Sequence, residues 1–250
     1  MVSYARSPDA NRLPLSTRSR TIAPLGEFAA AAGGLGLAIF VLLALTPGLG
    51  LGPKAAACLF FTGTAALAAR ALQRDYPYDH LGLCNVVTLA RLALTMALVA
   101  PLASGGGTSW FVFVVATVAL TLDGVDGWFA RRQGYASEFG ARFDMEVDSL
   151  LAFILALNAA LAGDAGTAAI LLGLPRYLFA VAGWALPWMR RDLPERFSRK
   201  LVCVVQLGAL IALQAPILPD GLAVALVPLV ALVLAWSFAL DVTWLWRRRA

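Results

Sequence analysis

The sequence predicts an all-α, polytopic integral membrane protein: a helical bundle of about eight transmembrane spans with no separate soluble domain. Three observations carry this reading. Hydrophobic residues make up 60% of the 250 and charged residues only 14%, against about 25% charged in soluble domains. The charges fall in short clusters separated by apolar runs near the roughly 20 residues that cross a bilayer. The period-two alternation of a membrane β-barrel is missing from the sequence, and no polar stretch is long enough to enclose a core of its own.

Residues 1–23 form a basic arm, with Arg6, Arg12, Arg18 and Arg20 set among Ser, Pro and Asn. The arm is too long for the charged region of a cleavable signal. Apolar runs then place spans at 26–45, 54–72, 82–103, 109–131, 138–162, 165–188, 200–217 and 222–245. Breakers such as Thr46-Pro47-Gly48 and Gly105-Gly106-Gly107 mark the turns between them. Cys58, Cys84 and Cys203 lie in or beside apolar runs without CxxC spacing and read as core thiols.

Basic residues set the topology, because Lys and Arg near span ends are retained in the cytoplasm. Sixteen of the twenty fall on one side: the four of the arm, Arg70, Arg74, Arg131, Arg132, Arg190, Arg191, Arg196, Arg199, Lys200, Arg247, Arg248 and Arg249. Lys54 stands alone on the other. Both termini are therefore expected in the cytoplasm, at the inner membrane, and the net charge of +5 is accounted for without a nucleic-acid partner. Arg91, Arg142 and Arg176 remain inside spans, where a charge costs a few kcal/mol and usually marks a site.

Chemistry concentrates between Asp123 and Asp148. Asp123 and Asp126 are spaced i, i+3 and share one helix face, and Asp144 and Asp148 are spaced i, i+4 on the next helix. A short connection, Arg132 to Glu138, makes those helices antiparallel neighbours. Four carboxylates in a low-dielectric wall repel by several kcal/mol unless protons or cations neutralise them. Oxygen-only donors favour Mg²⁺, Mn²⁺ or Ca²⁺ over Zn²⁺, since the chain's single histidine is His80. Two such ions would clamp a phosphate. Gly127 and Gly140 remove side chains where a ligand would meet the backbone, and Arg131 offers the charge that a diphosphate wants.

These residues resemble the signature of the CDP-alcohol phosphotransferases, Asp-x2-Asp-Gly-x2-Ala-Arg-x8-Gly-x3-Asp-x3-Asp. All eight fixed positions are present: Asp123, Asp126, Gly127, Ala130, Arg131, Gly140, Asp144 and Asp148. At about one chance match in fifteen per position, an accidental fit at a given register is on the order of one in 10⁹. A second similarity precedes it. Asn85, Thr88 and Arg91 match the family's Asn-x2-Thr-x2-Arg helix opening, and Asp75 to Gly82 would be its interfacial helix. The resemblance implies a six-helix core over 75–250, with 24–74 as a two-helix N-terminal extension beyond it.

The family resemblance also implies a reaction: the phospho-alcohol half of a CDP-linked lipid donor is transferred to the hydroxyl of a small polar acceptor, with release of CMP. Two divalent cations, Mg²⁺ or Mn²⁺, would sit on Asp123, Asp126, Asp144 and Asp148, and Asp148 would also take the proton of the attacking hydroxyl. Gly127, Ala130, Arg131, Gly140, Asn85 and Thr88 would hold the nucleotide. Membrane lipids would surround a homodimer. Arg91, Arg176, Arg199 and Lys200 are candidates for an acceptor or lipid phosphate. Tyr177 departs from the acid that usually follows the arginine matched by Arg176, and Arg199 stands where the family's small-Gly-Lys segment has Gly. CDP-diacylglycerol is the expected donor, with glycerol 3-phosphate or an inositol phosphate as acceptor; serine, inositol or a CDP-choline type donor remain open. Glu146 is expected to face away or to pair with Arg142. An ion-coupled transporter is the rival from another class, but it wants midplane charges and an inverted repeat, and neither is found.

Overall fold

The computed structural model describes residues 23–162, 166–190, 193–194 and 196–248, with the side chains of Asp126, Ala130 and Arg131 among those left outside the description. Apart from Ala23, the basic arm lies outside the described residues. The elements run α1 (Ala23–Leu45), α2 (Leu51–Asp75), α3 (Leu83–Ala97), α4 (Val99–Ala103), α5 (Trp110–Gln133), α6 (Glu138–Ala162), α7 (Ile170–Gly173), α8 (Pro175–Ala185), α9 (Phe197–Ala212) and α10 (Asp220–Arg247). The described residues hold no strand, and each expected span is met by one helix or one broken pair.

Prolines explain the breaks. Pro101 would drive its ring into the carbonyl of Ala97, where α3 ends and α4 takes over one residue later. Pro175 opens α8 and leaves α7 and α8 bent by 59°, so the sixth span is not one straight helix. Arg176, expected near the middle of that span, therefore sits in the first turn of α8. The expected interfacial helix over Asp75 to Gly82 does not form. Pro77 restricts the residue before it, and Tyr76 is extended at φ −86°, ψ 123°.

Helices α3 and α6 form the centre. α3 buries Leu89, Leu92, Ala93 and Met96, and α6 buries Val147, Leu151, Leu155 and Ala159. α7 lies close on α6, because a Cβ at Gly173 would come 2.7 Å from that of Ala156. At the rim, Leu37 and Phe40 of α1 and Leu229 and Leu232 of α10 are exposed, as lipid-facing residues should be. Among the described residues, five passes are long and apolar enough to cross a bilayer by length and composition: α1, α2, α3 with α4, α6 and α10. α5 runs 24 residues from Trp110 to Gln133. α9 has 16 residues, about 24 Å at the helical rise, short of a hydrocarbon core of about 30 Å. Of the cysteines, Cys84 is buried and Cys58 half-buried, but Cys203 is exposed on α9, so the core-thiol expectation fails there.

The N-terminal hairpin is fastened to the rest at one end of the bundle. Glu27 of α1 accepts the amide N–H of Leu81 at 2.7 Å and contacts His80 Nδ1 at 2.8 Å. Asp75 at the end of α2 meets Arg142 of α6 at 3.4 Å. The hydrogen bond to Glu27 holds the His80 pKa above its ordinary value, with the charges of Glu27 and Asp79 adding in the same direction. A raised imidazole pKa stabilises the fold fully below the unfolded value of about 6.5 and loses that contribution as pH rises through the folded value. The Tm advantage of wild type over His80→Ala in detergent is therefore expected to shrink between about pH 6 and pH 9. A difference that stays constant across that range would remove protonation from the latch.

Candidate active site

The site begins with how α5 and α6 are joined. Gly134 closes α5 in the left-handed region, at φ 73°, a conformation that glycine adopts without a steric penalty. Three residues on, Ser137 Oγ accepts the amide of Gly140 at 3.0 Å and caps α6. α3 packs against both helices. Carboxylate oxygens of Asp123 on α5 and of Asp144 and Asp148 on α6 then lie within 4.8 Å of one another. Each of the three side chains is about one-third exposed.

Arg91, expected at an acceptor or lipid phosphate, is instead fully buried on α3. Its Nε donates to the carbonyl of Ala119 at 3.2 Å. Its terminal nitrogens contact Asp144 and Asp148, and one of them reaches Asp123 at 2.9 Å. A guanidinium offers donors in a rigid planar fork, and here all of its nitrogens are engaged. Three carboxylates surround one guanidinium, so the cluster keeps an excess of negative charge. Hard oxygen donors, crowded and under-neutralised, are the donor set that Mg²⁺ or Mn²⁺ takes, so these residues fit the metal that the motif implies. The side chain of the fourth acid, Asp126, is outside the described residues.

Beside the acids opens a pocket of about 180 Å³, lined by Asn85, Thr88, Gly127, Gly140 and Asp144 together with Tyr135 and Ser137. Four of the residues expected at the nucleotide are thus brought together next to a carboxylate of the cluster. A Cβ at Gly140 would stand 3.2 Å from Asn85 Oδ1 and from Ser137 Oγ, so a side chain there would crowd the pocket wall. The roles expected of Ala130 and Arg131 fall on side chains outside the described residues.

The remaining candidates pair at longer range. Glu146 pairs with Arg176 of α8 and not with Arg142, which instead meets Asp75 and, one turn back, Glu138 at 3.3 Å. Arg199 forms a two-pronged contact with Asp241 of α10, both N–O distances being 3.0 Å, and Arg196 adds a third bond at 3.2 Å. Lys200 is exposed. Sequence reasoning missed Asp241, although a lone acid inside an apolar span is a site signal in itself. It missed Ser137 as well, which a capping residue ahead of Glu138 could have revealed.

An all-α membrane bundle with an acidic cluster on two helices and an arginine from a third defines the class, and comparison with known proteins gives the family. The sequence model of the CDP-alcohol phosphatidyltransferases matches residues 81–241, and the chain belongs to that family. Two similar curated proteins, each named "Probable phosphatidylglycerophosphate synthase", come from the CDC 1551 / Oshkosh and H37Rv strains of Mycobacterium tuberculosis. Each is 32% identical over 136 residues, which is 51% of this chain and 63% of the relative. The chain thus spans less than two thirds of the length of those relatives. No solved structure matches it significantly.

Proposed function

We propose that the chain transfers a phosphatidyl group from CDP-diacylglycerol to glycerol 3-phosphate and releases CMP. The observation that carries this reading is the convergence of Asp123, Asp144 and Asp148 beside a pocket lined by Asn85, Thr88, Gly127 and Gly140. Glycerol 3-phosphate is favoured over an inositol phosphate because both similar proteins are named for phosphatidylglycerophosphate synthesis. The one-sided basic residues support a cytoplasmic position for this end of the bundle and for both termini at the inner membrane.

Asp123, Asp126, Asp144 and Asp148 hold two divalent cations, Mg²⁺ or Mn²⁺. When bound, such ions offset the charge that builds on the diphosphate oxygens. Asn85, Thr88, Gly127, Ala130, Arg131 and Gly140 hold the cytidine and its phosphates. Asp148 accepts the proton of the acceptor hydroxyl as that oxygen forms a bond to the lipid-bearing phosphorus. The bond from that phosphorus to the CMP oxygen breaks, and CMP leaves with the electron pair. Arg91 holds the acids at their spacing. Arg176, Arg199 and Lys200 attract the acceptor's phosphate.

Labelled CDP-diacylglycerol offered with Mn²⁺ and a panel of glycerol 3-phosphate, inositol phosphate, inositol and serine tests the reading. Phosphatidylglycerophosphate is the expected product. A different lipid would replace the acceptor, and no transfer at all would remove the reaction. Asp241, which braces both Arg196 and Arg199, also bears on the acceptor. Asp241→Asn is expected to raise the KM for glycerol 3-phosphate about tenfold, as the loss of one well-placed charged hydrogen bond does, while the KM for the donor stays put. Equal rises in both constants would count against an acceptor role for this arginine pair.

A further inference from the structure

The hydroxyl of Tyr76 lies at the junction between the N-terminal hairpin and the nucleotide pocket, just outside the span matched by the family. It donates to the carbonyl of His80 at 3.0 Å, and accepts from the amide of Gly82 at 3.1 Å and from Asn85 Nδ2 at 3.2 Å. A phenol has one proton and two lone pairs to offer. All three are used here, and the only proton is spent on His80. Asn85 can therefore meet Tyr76 only with its NH2 side, because its carbonyl oxygen would find no donor there. That fixes the amide: Nδ2 points back at Tyr76, and Oδ1 stands on the side of Gly140, where a glycine leaves it room. Asn85 is 1% exposed, so its orientation is set by these neighbours and not by bulk water. Tyr76 itself is held edge-on between the rings of Tyr78 and Phe139.

We propose that Tyr76 is a positioning residue for base specificity: by fixing the Asn85 amide it presents a hydrogen-bond acceptor, Oδ1, to the 4-amino group of cytosine. The proposal rests on the reading of the pocket as a nucleotide site. Cytosine carries a donor at its 4-position and uracil an acceptor, so a fixed Oδ1 pairs with the first and repels the second. An amide free to flip could turn its NH2 to the uracil carbonyl and would lose the distinction. A buried polar group left without a partner is what makes such sites selective.

The test titrates CMP and UMP, with Mn²⁺, onto the purified full chain in detergent. Wild type is expected to prefer CMP by about 10- to 100-fold. In Tyr76→Phe that preference is expected to fall to within about threefold of parity, with a higher KM for the CDP-linked donor and an unchanged KM for the acceptor. Glu27→Gln, which loosens the same end of the fold without touching Asn85, is expected to keep the wild-type preference. The ribotide of 2-pyrimidinone, which lacks the 4-amino group, gives a reading on wild type alone and is expected to bind as weakly as UMP. Tyr76→Phe with the wild-type CMP preference, or wild type binding the 2-pyrimidinone ribotide as tightly as CMP, would overturn the positioning role and leave the nucleotide pocket standing. A wild-type protein that binds neither CMP nor UMP would overturn the pocket and this proposal together. Loss of preference in Glu27→Gln as well would assign the effect to general loosening and overturn the role of Tyr76.

Discussion

Replacing Asp148 with Asn is expected to lower CMP release by about 10²- to 10⁴-fold, the range over which a positioned general base acts, in a protein that still folds in detergent. The amide keeps the size of the carboxylate but gives up its capacity to take the acceptor's proton. Folding survives because the guanidinium of Arg91 keeps its contacts to Asp123 and Asp144. Turnover measured at saturating donor and acceptor checks the expectation, and near-normal turnover in a well-folded Asp148→Asn protein would defeat the assignment of the base.

Arg91→Met has the largest expected effect on stability. Arg91 is the largest fully buried side chain among the described residues, and its three carboxylate partners would be left without this counterion. Removing one partner of a buried ion pair costs about 3–5 kcal/mol, and the partial exposure of the acids places the expected loss near the lower end of that range. The sign of the metal response tells this apart from a packing defect. Mn²⁺ should recover much of the lost Tm in Arg91→Met, because cations then supply the missing positive charge, and EDTA should deepen the loss. A Tm deficit that is the same in Mn²⁺ and in EDTA would mean that the variant suffers from lost packing alone.

Periodicity and punctuation made most of the bundle legible. The edges of α6 coincide with the expected span of 138–162, because a capping serine opens the helix and a largely apolar second half carries it to Ala162. The acidic cluster was legible for a related reason: i, i+3 and i, i+4 spacing fixes which side chains share a face of their own helix. That same logic is silent on which face meets which. Spacing alone therefore does not give Arg91 its neighbours, which are 28 to 57 positions away in sequence, and Glu146 was offered Arg142 when α8 supplies Arg176. Asp75 to Gly82 failed otherwise. A family habit suggested a helix there, and Pro77 overruled it. Tyr76 gave no sequence signal at all, since a tyrosine at an interface is ordinary and only the folded loop brings its hydroxyl to Asn85.

The short α9 has a consequence for the lipid around it. α9 packs with α5, which carries Asp123, so a short stretch of hydrocarbon-compatible surface lies beside the acids, while α1, α2 and α10 present taller ones. Lipid tails must shorten or splay on the acidic flank to match a height smaller by about 6 Å, at fractions of a kcal/mol per ångström. Headgroups there ride lower than elsewhere in the leaflet, closer to the level of the carboxylates.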